Sequence, residues 1–220
     1  MTNFKNLLYR EFIISLKNTK GLYSYCTFFF TSILLFVFAV GPDFSILSTM
    51  YKPILWMITV FSLILISESF VFEDFLDGSL SELQFLGYSE EVIFLSKCLV
   101  MFTSLVIPNI ILIPISSFLF EINLFNLVEI ITLFIISLPT ITLISILSAL
   151  FSLQVKRNKF IQFILIMPFF IPIIIIATSE NFFVTNLGNE FKIFVLIGLF
   201  LITLPLSILI GKLIIKELNY

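Results

Sequence analysis

Six segments of this sequence are almost entirely apolar and long enough to cross a lipid bilayer as helices. A membrane-spanning helix needs about 20 mainly apolar residues, and it satisfies its own backbone hydrogen bonds where no water is present. The chain therefore predicts an all-α integral membrane protein with six transmembrane helices. The loops are too short for a separate soluble domain, so residues 1–220 form one transmembrane domain. The predicted spans are 21–40, 53–72, 98–120, 127–153, 160–178 and 193–211.

Composition supports lipid as the solvent of this chain and excludes several classes of function. Hydrophobic residues make up 60% of the chain and charged residues only 12%, whereas soluble domains carry about 25% charged residues. There is no histidine, and Cys26 and Cys98 form no C-x-x-C pair. Zinc fingers, thioredoxin-like chemistry and covalent haem attachment are therefore excluded. No basic stripe is present that could bind nucleic acid.

The distribution of lysine and arginine predicts the orientation of the spans, because cytoplasmic loops carry an excess of these residues. Ten of the twelve lie on one side of the predicted topology and two on the other. Both termini are therefore predicted to be cytoplasmic. The heavy use of Phe, Ile, Lys and Asn suggests an AT-rich genome, which is compatible with a bacterial inner membrane and with the mitochondrial inner membrane. The first group comprises Lys5, Arg10, Lys17, Lys20, Lys97, Lys156, Arg157, Lys159, Lys212 and Lys216, and the second Lys52 and Lys192.

Residues 3–19 are too polar to span a membrane, yet their apolar side chains recur at helical spacing. Phe4, Leu7, Leu8 and Phe12 alternate with charged and amide residues. This pattern predicts an amphipathic helix lying in the cytoplasmic interface. A plain cationic topology anchor is the alternative.

The connection between the second and third spans holds six of the fourteen carboxylates in residues 73–92, with no lysine or arginine. Asp77 and Gly78 form a turn signal, and Ser79 with Glu82 matches a capping box. Leucines and a phenylalanine follow, and Gly87 can end a helix. The pattern predicts a short cytoplasmic helix, residues 79–86, with apolar side chains exposed between acids. A partner with a basic-rimmed groove would suit this helix, and a solvated turn is the alternative.

Polar and proline residues inside the spans offer further candidates. Glu68 lies about one turn from the cytoplasmic end of the second span. A carboxylate inside a span suggests a functional role. The alternatives are that its side chain snorkels to the interface or pairs with Lys97 at the same depth. Pro139, Pro168 and Pro172 are predicted to kink or break their helices, as prolines do at moving parts of transporters. No phosphate-binding loop is present, so any ATP hydrolysis is predicted to occur on another chain.

Four stretches together resemble the CcmB family, haem exporter protein B, which is the permease subunit of the cytochrome c maturation ABC transporter. They are "VGPD" (40–43), the segment 53–86 with its tryptophan, Glu68 and Asp-Gly-Ser-Leu, "LPT" (138–140) and "MPFFIPIIIIAT" (167–178). The resemblance covers about residues 5–210. Proline is common in the family where this chain has Gly87-Tyr88, and the segment after Thr178 shows no resemblance.

The resemblance implies a type-2 ABC permease fold with an amphipathic N-terminal elbow helix and a cytoplasmic coupling helix at residues 79–86. It implies two copies of this chain with two ATPase subunits (the A subunit), the small membrane subunits C and D, and the haem chaperone E. ATP would bind to the partner and haem would be handled by the complex, so this chain would hold no cofactor or metal and would be non-catalytic. The implied ATPase-coupling residues are Asp77, Gly78, Ser79, Leu80, Glu82, Leu83 and Leu86.

The function that follows is the coupling of ATP hydrolysis by the partner to haem export or to release of the haem-loaded chaperone. The absence of histidine favours this transmitting role over axial ligation of haem. Three alternatives remain at this point. They are the permease of another type-2 ABC exporter for lipid, polysaccharide or drug, an integral-membrane enzyme such as an acyltransferase, and a proton-coupled secondary transporter that uses Glu68.

Overall fold

The computed structural model describes residues 2–17, 19–155, 159–179 and 189–218. Within these ranges the chain forms eight α-helices and no strand. Six of them, α2, α3 and α5 to α8, are long and apolar enough to cross a membrane. The predicted all-α membrane fold with six such helices is therefore confirmed. The helices are α1 (Thr2–Lys17), α2 (Thr19–Val40), α3 (Phe44–Leu76), α4 (Ser79–Phe85), α5 (Glu90–Leu119), α6 (Leu124–Gln154), α7 (Lys159–Thr178) and α8 (Asn189–Glu217). Lys156 and Arg157, on which the orientation prediction partly depends, lie outside the described residues.

Helix α3 is longer than the apolar segment that predicted it. It has 33 residues and continues through Pro53, so its length is about 50 Å. Asp43 caps its N-terminus, because one carboxylate oxygen accepts hydrogen bonds from the Ser45 hydroxyl at 2.6 Å and from the Ser45 and Ile46 amides. These hydrogen bonds, the Ser45 hydroxyl foremost, hold the pKa of the Asp43 carboxyl below its usual value. The predicted apolar segment is thus the middle of a helix that extends beyond it at both ends.

Helix α6 forms the centre of the bundle. About two thirds of its most apolar stretch is buried, whereas only 17% is buried in α2 and 11% in α8. It packs against α3, α5, α7 and α8. Trp56 of α3 contacts Phe134 of α6 with 5.2 Å between ring centroids. The poorly buried helices present their side chains outward, as expected for residues that contact lipid rather than protein.

Helix α6 is continuous through Pro139, so the predicted break does not occur there, whereas the alternative, a kink at this residue, stays a prediction. Helix α7 likewise continues through Pro168 and Pro172. A broken helix would expose several backbone polar groups to hydrocarbon, which costs more than the one hydrogen bond that a proline removes. These three prolines therefore lie within continuous helices.

Helices α5 and α8 approach each other closely at Gly211. A Cβ atom at this position would lie 2.6 Å from the ring of Phe94, which is fully buried. No other residue type has a side chain small enough for this contact. Gly198, also in α8, has no atom within 4 Å of the corresponding position. The same substitution at these two glycines of α8 therefore compares a crowded position with an open one.

Gly211→Ala is expected to destabilise the folded chain by about 1–3 kcal/mol, because the added methyl group overpacks a filled interface. Gly198→Ala should be neutral or slightly stabilising, since alanine is the better helix former. Denaturant titration in mixed micelles measures both free energies of unfolding. Equal effects of the two substitutions would contradict the close contact at Gly211.

Candidate functional site

Helix α4 connects α3 to α5 and is bounded at both ends by a glycine in the left-handed region. Gly78 has φ +71° and Gly87 has φ +84°. At the C-terminal end, the Tyr88 amide donates to the Leu83 carbonyl at 3.2 Å and the Gly87 amide donates to the Gln84 carbonyl at 2.9 Å. This pair of hydrogen bonds is the Schellman motif. The helix has seven residues, and both of its ends are fixed by backbone geometry.

The predicted capping box is absent from α4. Gly78 takes the N-cap position with no side-chain hydrogen bond, so Ser79 is already the first helical residue. The Ser79 hydroxyl instead donates to the Asp74 carbonyl at 3.2 Å, and the Ser81 hydroxyl donates to the Gly78 carbonyl at 2.7 Å. The left-handed backbone of Gly78 shifts the register by one residue. The hydrogen bond from the Ser79 hydroxyl to the Asp74 carbonyl connects α4 to the last turn of α3.

The two faces of α4 have opposite roles. Leu80 and Leu83 are buried, so they anchor the helix to the bundle and are not exposed as the sequence pattern predicted. Phe85 is 91% exposed and Leu86 is 73% exposed. Glu82 is exposed as well and lies three residues before Phe85, hence on the same side of the helix. Phe85 was not among the predicted site residues, although this spacing alone would have placed it beside Glu82.

The outward side continues onto the end of α3, where large apolar side chains are also exposed. Phe75 is 38% and Leu76 is 64% exposed. Together with the acids, these side chains give a surface of apolar and negatively charged groups, the combination that marks interaction sites on proteins. We call this the α3–α4 surface, and it comprises Phe75, Leu76, Asp77, Glu82, Phe85 and Leu86.

A buried lysine lies behind the α3–α4 surface. Lys97 of α5 is 1% exposed and forms ion pairs with Asp74 of α3 and, at 3.3 Å, with Glu11 of α1. Its ammonium group also donates to the Phe70 carbonyl at 3.4 Å. A buried charge is tolerated only when such partners surround it. Lys97 therefore joins three helices directly behind α4.

Lys97 takes these partners in place of Glu68, which the sequence offered as its partner. Glu68 is half-buried on α3. The partners could not be read from the sequence, because Asp74 lies 23 residues and Glu11 lies 86 residues from the lysine. A cavity of about 30 Å³ adjoins the cluster and is lined by Glu11, Ser69 and Glu73 among others. Its size and polar lining suit one or two water molecules.

Helix α1 presents a partly polar face to the bundle. Leu7, Glu11 and Ser15 are buried at i, i+4 spacing, whereas Phe12 is 37% and Leu16 is 58% exposed. The Ser15 hydroxyl hydrogen-bonds the Ser104 hydroxyl of α5 at 2.9 Å. The helix forms where it was predicted, but Glu11 and Ser15 hold it against α5 while larger apolar side chains face outward.

A scan against protein-family models matches residues 2–211 to the family described as "CcmB protein". The chain belongs to the CcmB family. It is 25% identical over 80% of both chains to a protein named "Heme exporter protein B" from Haemophilus influenzae. It is 25% identical over 82% of both chains to a protein of the same name from Bradyrhizobium diazoefficiens. The family predicted from the sequence is thereby confirmed, and the match includes α4 and the whole Lys97 cluster.

Lys97→Met in this CcmB-family chain is expected to lower the free energy of unfolding by about 3–5 kcal/mol, because Asp74 would lose its cation and the buried Glu11 would keep only Arg10. Asp74→Asn should lower the free energy of unfolding by less, since Lys97 keeps its ion pair with Glu11. Lys212→Met is the control, because Lys212 pairs with Glu91 where both side chains are more than 40% exposed. Such an exposed pair contributes little to the free energy of unfolding, because water and salt screen it. A loss at Lys97 no larger than at Lys212 would contradict a structural role for the buried cluster.

Proposed function

We propose that this chain is the membrane permease subunit of an ABC transporter in cytochrome c maturation. In this role it couples ATP hydrolysis on a separate ATPase subunit to haem export or to release of a haem-loaded chaperone. Membership of the CcmB family supports the proposal, as do the names of its relatives. The observation that carries the coupling role is α4, a short helix anchored by two buried leucines with an exposed acidic and aromatic side.

The α3–α4 surface is proposed to dock into a groove of the ATPase subunit. Phe85 and Leu86 would occupy the apolar floor of the groove, since exposed aromatic anchors dominate such interfaces. Asp77 and Glu82 would face a basic rim, where complementary charge steers association and fixes orientation. The left-handed glycines at both ends of α4 keep the helix compact. Docking of a preformed element loses less conformational entropy than docking of a flexible loop.

Movement of the docked helix is proposed to reach the membrane-spanning helices through three linked contacts. Ser79 hydrogen-bonds the backbone of Asp74, and the carboxylate of Asp74 pairs with Lys97. Lys97 in turn pairs with Glu11, so α1, α3 and α5 share one polar junction behind α4. Glu68 lies on the same helix as Asp74, nearer the middle of the bundle. A displacement of α4 would therefore act on three helices at once.

The chain is proposed to transmit work rather than to catalyse a reaction. It has no histidine, which is the axial ligand of haem in globins and peroxidases, so haem would be handled by the complex. ATP would bind to the partner subunit. The proposed assembly contains two copies of this chain, two copies of the ABC ATPase subunit (the A subunit), the small membrane subunits C and D, and the haem chaperone E.

We place the chain in the bacterial inner membrane with both termini and α4 in the cytoplasm. With Phe85→Cys as its single cysteine, the chain should be labelled by a membrane-impermeant maleimide in inverted vesicles and not in spheroplasts. A single cysteine at Asn126, exposed near the start of α6, should show the opposite pattern. Both variants carry Cys26→Ala and Cys98→Ala. Labelling of Phe85→Cys from the outer side would overturn the orientation and the docking role together.

Charge reversal tests the docking role of the α3–α4 surface. Asp77→Lys combined with Glu82→Lys should reduce co-purification of the ATPase subunit at least tenfold, because like charges facing a basic rim cost several kcal/mol. Phe85→Ala should weaken association without changing charge. Glu190→Lys is the control, since it reverses an exposed acid at the start of α8. Unchanged ATPase recovery with both α4 variants would refute the coupling role.

A further inference from the structure

The opposite end of the bundle holds a second ion cluster in which lysines outnumber carboxylates. The Glu129 carboxylate of α6 accepts a hydrogen bond from the Lys192 ammonium group of α8 at 3.3 Å and forms an ion pair with Lys52 of α3 at 3.7 Å. All three side chains are at most 16% exposed. The cluster lies near the starts of α3, α6 and α8, whereas α4 follows the other end of α3. It is therefore separate from the Lys97 cluster and from the α3–α4 surface.

Among the described residues, this cluster carries one positive charge more than its carboxylate balances. Two ammonium groups share the Glu129 carboxylate, and largely buried charges are favourable only when they are paired. The nearest described acids along the chain, Asp43, Glu121 and Glu190, have exposed side chains. None of the three forms an ion pair with Lys52 or Lys192. An anionic group beside Lys192 would complete the charge balance.

An apolar cleft adjoins Lys192. It lies between α7 and α8 and has a volume of about 320 Å³, which is within the range of ligand pockets in proteins. Ile171 and Ile175 of α7 and Phe191 and Val195 of α8 line it, together with the carbon chain of Lys192, whose ammonium group lies beyond the apolar lining and contacts Glu129. Both helices are candidate membrane spans. A cleft between two such helices is accessible to the acyl chains of the bilayer.

We propose that this cleft and the Lys52–Glu129–Lys192 cluster bind an anionic phospholipid. One acyl chain lies in the cleft between α7 and α8, and the phosphate accepts hydrogen bonds from Lys192. The apolar lining selects an amphiphile over a water-soluble anion. The excess of one lysine selects an anionic headgroup over a zwitterionic one. The site is independent of the ATPase docking surface, so it stands or falls separately from the proposed function.

Native mass spectrometry of the purified full-length chain tests this site with two probes, dioleoyl phosphatidylglycerol and dioleoyl phosphatidylcholine. The chain should retain phosphatidylglycerol more strongly. Lys192→Gln should reduce its retention about fivefold, because one lysine near a lipid headgroup contributes on the order of 1 kcal/mol. Lys216→Gln is the matched control, since it removes the same charge from the exposed far end of the same helix. It should change retention little.

Two further variants separate the charge from the cleft. Glu129→Gln raises the net charge of the cluster and should increase phosphatidylglycerol retention, an effect that misfolding would not produce. Val195→Phe fills the cleft while every charge remains, and it should reduce retention of the lipid. Thermal unfolding in detergent checks that each variant is folded. Equal retention of the two lipids, or equal losses with Lys192→Gln and Lys216→Gln, would overturn the proposal.

Discussion

A lysine buried in a membrane protein must be surrounded by groups that compensate its charge, and Lys97 meets this requirement with partners from two other helices. Its ammonium group contacts Glu11 of α1 and Asp74 and the Phe70 carbonyl of α3. Arg10 also pairs with Glu11 at 2.7 Å, so the two carboxylates face two cations. Because Lys97 is the ion-pair partner that Glu11 of α1 and Asp74 of α3 share, the positions of α1, α3 and α5 at this end are interdependent.

The short helix α4 depends on that arrangement. A seven-residue helix is unstable alone in water, and α4 is stabilised by Leu80 and Leu83 in the core and by the bond from Ser79 to the end of α3. Helix α3, which precedes α4, is in turn connected to α1 and α5 by the ion pairs of Lys97. The exposed side of α4 is thus presented by a helix that is packed into the bundle and hydrogen-bonded to α3, as the proposed docking role requires.

The sequence predicted the fold class because the bilayer permits few alternatives. Long apolar segments in lipid must be helical, and six of them were recognisable without any tertiary information. The details that failed depend on neighbours or on competing backbone geometry. Pro139 does not break α6, since the surrounding membrane makes an open helix costly. Gly78 displaced the capping box by one residue. The partners of Lys97 were hidden by sequence separation, as were the buried positions of Leu80 and Leu83.

The length of α3 sets how far α4 stands from the lipid. A helix of about 50 Å exceeds the roughly 30 Å hydrocarbon thickness by about 20 Å, and this excess is divided between the two sides of the membrane. Phosphate headgroups carry negative charge that repels acids and attracts basic proteins within about a Debye length of 8–10 Å. In the proposed docking, a spacer of this height would let the carboxylates of the α3–α4 surface meet a cationic partner with less competition from the bilayer. Shortening the spacer by one helical turn would bring that surface closer to the headgroups, which would then compete for the proposed partner.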